Sequence, residues 1–192
     1  MIKIPLNFLY GVQDARLQRL LGKVWRRLPA YDRAVLRELV LDVSDQGQIS
    51  EHAIAHAGPV NPDSVWNGNA GDAALDMYRE ITLTNARDVK SDPACMAGIA
   101  HEFAHVVLRH IQISLVVQEL TGFNPPLYTD SDIDQLKALH EDEANLQVWV
   151  WGFQSELKAL FDEFPDMPRP RWYVDLESEP WTGSNPWEGR NA

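Results

Sequence analysis

His101 and His105 stand four residues apart, with Glu102 directly after the first histidine. In a helix of roughly 3.6 residues per turn this spacing brings both imidazoles to one face, within about 2.0–2.1 Å of a single ion, and sets Glu102 beside the water that such an ion activates. The pattern points to a catalytic zinc centre and a hydrolase, with His101 and His105 as ligands and Glu102 as general base. A chance match among six histidines and 28 acidic residues is the competing reading. The surroundings argue against chance. Met96, Ile99, Ala100, Phe103, Ala104, Val107, Leu108 and Ile111 make a broad apolar surface around the motif. Burying a polar group without a hydrogen bond costs roughly 2–7 kcal/mol, and a metal is a sufficient reason to place three such groups together.

The element that must carry the motif reads as one helix over residues 93–120. Ser91 and Asp92 are capping types, Pro93 suits the first turn, and Thr121-Gly122 offers a stop. A catalytic zinc keeps three protein ligands and an open position, so a third ligand is needed. The metzincin extension is absent, because Leu108 and Ile111 occupy its glycine and histidine positions. Peptide deformylases place their cysteine ligand well upstream, whereas Cys95 lies six residues before His101 and reads as a small buried hydrophobe. A second long helix over 131–164 follows, with Ser131 and Asp134 as a capping box, Ile133, Leu136, Ala144, Val148 and Trp151 at helical spacing, and Pro165 as its stop. It carries His140-Glu141-Asp142-Glu143-Ala144-Asn145. Glu141 and Glu143 lie on different helix faces and each has apolar neighbours, so periodicity leaves both as candidate ligands.

The pairing of Ile-Ala-His-Glu-x-x-His-Val-Val-Leu-Arg-His with Glu-x-Glu-Ala-Asn resembles the gluzincin metallopeptidases, in particular the minimal bacterial ImmA/IrrE-like enzymes. The resemblance covers the two helices. It implies one Zn2+ held by His101, His105 and Glu141, with Glu102 as base and Asn145 orienting one imidazole. It further implies a zincin-like fold, peptide hydrolysis, and a narrow-specificity regulatory protease acting on a protein or peptide substrate. The alternative is a zinc-containing regulatory or partner-binding protein without proteolytic activity. His110, His140 and Tyr128, together with Tyr78 and Arg109, are candidate donors to a tetrahedral oxyanion.

Before the motif, Leu17, Leu20, Leu21, Val24, Trp25 and Leu28 repeat at helical spacing behind Asp14, and Pro29 ends the pattern. A short helix is expected around Asp32 to Glu38, then a strand with Leu39, Leu41 and Val43 alternating. Residues 79–86 alternate Ile81 and Leu83 with Glu80, Thr82 and Thr84, a second strand. The expected class is therefore α+β, mostly helical with a small sheet, and in a zincin-like arrangement the edge strand of that sheet precedes the active-site helix. His52 and His56 are also four apart but lack a following glutamate, and Gly58-Pro59 closes the segment, so they read as solvent-facing.

The 192 residues suit one domain over 1–164. Beyond it, 165–192 is a tail rich in proline, with Trp172, Trp181 and Trp187 among acidic residues; its aromatics suggest docking onto its own domain. A net charge of −11 disfavours nucleic acid and anionic lipid as partners. No apolar run approaches the about 20 residues needed to span a bilayer, the first ten residues lack the marks of a signal peptide, and a single cysteine allows no internal disulfide. A cytoplasmic protein is expected. Oligomeric state stays open.

Overall fold

The computed structural model describes residues 3–46, 55–59, 79–121, 128–170 and 172–173. In chain order these form α1 (Asn7–Tyr10), α2 (Ala15–Arg27), α3 (Ala30–Leu39), β1 (Val40–Ser44), β2 (His56–Pro59) and β3 (Arg79–Thr82). A 3₁₀ turn (Thr84–Arg87) leads to α4 (Asp92–Val107), α5 (His110–Thr121), α6 (Asp130–Val150) and α7 (Gln154–Glu163). The fold is α+β, mostly helical with one three-stranded sheet. Among the described residues no helix is long and apolar enough to cross a membrane.

α2 starts where Asp14 accepts the Leu17 N–H at 2.9 Å, and buries Leu17, Leu20, Leu21, Val24 and Trp25 along one face. Trp25 meets Phe8 edge-on with ring centroids 5.3 Å apart, and Phe103 completes the cluster at 6.4 Å from Trp25. Phe103 lies inside the histidine motif, so the side of α4 away from the histidines is fixed by this aromatic core. Ser91 caps α4 by accepting the Ala94 N–H, and Pro93 sits in its first turn. Every residue from Ala94 to Val106 is buried except His101 and His105, because α2, α3, α6, α7 and β2 all pack against this one helix.

The sheet order is β1-β3-β2, with β1 and β3 parallel and β2 antiparallel to β3. The strand that precedes α4 is therefore central, and the expectation of an edge strand there is corrected. Among the described residues the edge beside the site is β2, which the sequence does not announce because Ala55-His56-Ala57-Gly58-Pro59 lacks β-branched residues. β3 is shorter than 79–86, although Ile81 and Leu83 are buried as their alternation predicts; Leu83 still donates to Ser44 O at 2.7 Å, then the chain tightens into the 3₁₀ turn. In β1 the pairing slips between Val40 and Asp42, which turns Leu41 outward against the expected alternation. Asp45, just beyond β1, accepts the Gln13 and Asp14 backbone N–H groups at 3.0 and 2.7 Å and so ties the start of α2 to the sheet.

Both long helices expected from periodicity are broken. The 93–120 helix ends at Val107, and Arg109 takes a left-handed φ of 60° before α5 begins. No glycine marks this turn, and the apolar spacing runs through it unchanged. The 131–164 helix breaks at Gly152, whose φ of 86° costs glycine little, and Phe153 then donates to Val148 O at 3.2 Å. The start of α6 also differs from expectation. Thr129 and Asp132 form the capping box, and the Ser131 hydroxyl instead receives a hydrogen bond from Gln135. α7 ends at Glu163, ahead of Pro165. Beyond it, Tyr173 is buried against Phe161 with centroids 4.8 Å apart, and Trp172 meets Trp149 at 5.9 Å. Trp181 and Trp187 lie outside the described residues.

Candidate metal centre

α4 turns His101 and His105 toward α6. His101 Nε2 lies 2.9 Å from His105 Nε2 and 3.0 Å from a Glu141 carboxylate oxygen. The other Glu141 oxygen is 3.5 Å from His105 Nε2. Donor atoms about 2.0–2.1 Å from one tetrahedral ion stand roughly 3.3 Å from each other, so these separations suit a shared ion. His101, His105 and Glu141 are the only such group of three among the described residues, and together they can hold a metal.

The remote ring nitrogens explain why. His101 Nδ1 is 3.0 Å from Asn145 Oδ1, a carbonyl oxygen that only accepts, so the hydrogen-bond network assigns the proton to Nδ1. His105 Nδ1 is 2.9 Å from His110 Nδ1. With protons on both Nδ1 atoms, two Nε2 lone pairs and a carboxylate converge with no donor between them. A cation resolves that convergence. The same convergence favours positive charge at His101: burial opposes it, but the hydrogen bond to Glu141 and the nearby Glu102 carboxylate draw its pKa up.

The other groups respond in the directions ligation requires. Burial, then the charge of His101, pushes His105 down to about 3, which keeps it the neutral imidazole a metal needs. Glu141 leaves 61% of its side chain exposed while turning its carboxylate into the histidine pair. Burial of that carboxylate works against ionisation, yet the His101 hydrogen bond and the surrounding imidazoles bring it down to about 2. Glu102 is buried and moves the other way, up to about 7: burial and the Glu141 charge raise it, while His101 and a hydrogen bond from the Ala57 backbone oppose. A carboxyl poised near neutrality is matched to proton transfer at ordinary pH.

The centre opens into a cleft of about 720 Å³. Its lining includes Ala55 with His56 and Ala57 of β2, and an apolar set of Ile111 and Leu115 of α5 with Leu160, Met167 and Pro168. Sequence reasoning missed both β2 and the Met167-Pro168 contribution, since neither carries a chemical group that would mark it. His56 is exposed at the cleft, and His52 lies outside the described residues.

The remaining candidates fall into three places. Glu143 is outside the ligand group and meets His110 Nε2 at 3.1 Å. His110 has both ring nitrogens engaged and stacks on His140 at 4.1 Å and 5°, while His140 Nδ1 faces the Ser114 hydroxyl at 3.5 Å. Tyr128 is exposed at the start of α6 and, like Arg109, does not line the cleft; Tyr78 lies outside the described residues. Cys95 is fully buried, with its thiol pushed up to about 11 by burial and its Sγ 3.5 Å from Ala86 O, away from the donor atoms. No known family model, curated protein or solved structure matches the chain, so its function is read from this site alone.

Proposed function

We propose that the protein is a zinc-dependent metallopeptidase of gluzincin type with a zincin-like fold, in which His101, His105 and Glu141 hold one Zn2+ and Glu102 is the general base. The observation that carries the reading is the convergence of two Nε2 atoms and one carboxylate beside a buried glutamate, at the edge of a cleft bordered by a strand. Two imidazoles and one glutamate are the three-ligand set of catalytic zinc in peptidases, with one position left open. Zinc bound there supplies a Lewis acid and lowers the pKa of water toward about 7. Glu102, held by the Ala57 N–H, accepts a proton and delivers it to the leaving amine. β2 is an edge strand among the described residues and borders the cleft, which suits an extended peptide added as a further strand. The apolar wall of Ile111, Leu115 and Met167 suits an apolar side chain next to the scissile bond. Met167 and Pro168 also line the cleft, and the preferred substrate within this proposal is a narrow regulatory one, as the family resemblance implies.

The test joins metal analysis to peptide hydrolysis. Wild type should carry one zinc and cleave an extended apolar peptide; Glu102→Gln should keep the zinc and lose about 10²–10⁴-fold in kcat. Hydrolysis retained in Glu102→Gln refutes the assigned base. Zinc binding without cleavage of any peptide returns the non-proteolytic reading.

A further inference from the structure

His105 differs from His101 in what holds it. His101 donates to an amide oxygen of α6, whereas the partner of His105 Nδ1 is another ring nitrogen, His110 Nδ1 at 2.9 Å. His110 in turn places its Nε2 3.1 Å from a Glu143 carboxylate oxygen. Three facts make this a built arrangement. The left-handed Arg109 stands between the end of α4 and the start of α5, and His110 lies beside His105. His110 is 3% exposed, and the plane of its ring is fixed by stacking on His140. Both of its nitrogens have partners, so its tautomer is determined.

We propose that Glu143 and His110 form a positioning chain for the metal ligand His105, each proton in it having one place. A carboxylate only accepts, so His110 carries its proton on Nε2 and donates it to Glu143. His110 Nδ1 is then an acceptor and takes the Nδ1–H of His105. His105 Nε2 is left with a lone pair aimed at the ion. The chain sets the ring orientation of His105 and raises its basicity, as carboxylates and carbonyls do for metal-bound histidines elsewhere. Here an imidazole is interposed, so a carboxylate two residues from the ligand Glu141 serves the opposite histidine. The inference rests on the metal-centre reading above but makes no use of hydrolysis.

The test is metal affinity, measured by competition with a chromophoric chelator, with cobalt(II) absorption as a second readout. His110→Ala should raise the dissociation constant about 10–100-fold. His110→Asn, whose Oδ1 replaces the Nδ1 acceptor, should recover most of that loss. Glu143→Ala should weaken binding and shift the cobalt bands in the wild-type background but have no further effect in His110→Asn, because its influence passes through the His110 ring. An equal loss in both backgrounds means that Glu143 acts without His110 and overturns the chain. Two ions per chain also overturn it, by making the His105–His110 pair a ligand site. If His110→Ala does not fold, His110→Asn with and without Glu143→Ala decides alone. A metal-loaded wild type with no mutant effect sinks this inference while leaving the metal centre standing; a wild type that binds no metal sinks both.

Discussion

Asn145 and Glu141 share a helix face four residues apart, and each acts on the same imidazole from opposite ends: Oδ1 on His101 Nδ1, the carboxylate beside its Nε2. Asn145→Ala should therefore keep the ligand set but free the His101 ring, weakening metal binding about 10–100-fold by chelator competition, while Asn145→Asp keeps the acceptor and the affinity. An unchanged Asn145→Ala would remove it from the site. Their roles were expected from the resemblance of the two helix motifs, whose i,i+4 spacings need no knowledge of the fold. Glu141 and Glu143 were not separable that way. What divides them is where α4 ends, since the break at Leu108 and Arg109 precedes the histidine that Glu143 holds.

At the level of elements, the helix breaks show what periodicity conceals. Apolar residues continue at helical spacing through Leu108 and through Trp151, so the pattern survives a turn that the backbone does not. The glycine at 152 was an available signal; a left-handed arginine at 109 left none. The link between α2 and the sheet is also invisible in sequence, being one carboxylate. Burial raises the Asp45 pKa, but hydrogen bonds from Asp14, Gln13 and Gln46 more than offset it and hold the carboxyl below its ordinary range. A depressed folded-state pKa means that Asp45 contributes stability above the unfolded value of about 3.9 and loses it as pH falls through the folded one. Asp45→Asn should accordingly lower the urea midpoint at pH 7 by the equivalent of about 1–3 kcal/mol and narrow its gap to wild type in acid. A gap independent of pH would mean the charge is not what ties the two elements.

Across the molecule, α4 is the common wall: the aromatic core, the sheet edge and three later helices all rest on it. Fold class was legible because a mostly apolar helix beside amphipathic ones and strand-like alternation admits few architectures, whereas the strand order was not, because β2 has almost no strand character of its own. The donors are divided unequally between this wall and its surroundings. Two come from the buried helix α4, and the third stands on α6 with most of its side chain in solvent. An ion held there would have a local route of escape, the swing of Glu141 away from a histidine pair that stays assembled. The residence time of the metal should be governed by that local excursion and not by global unfolding. Under chelator challenge the off-rate should change little with urea below the unfolding transition while amides of α4 remain protected from exchange; an off-rate that tracks global unfolding would show the gate to be the whole fold. On the proposed reading the same asymmetry would separate two lifetimes in one protein, a scaffold that persists and an occupancy that turns over, so that metal supply would set its state without its being remade.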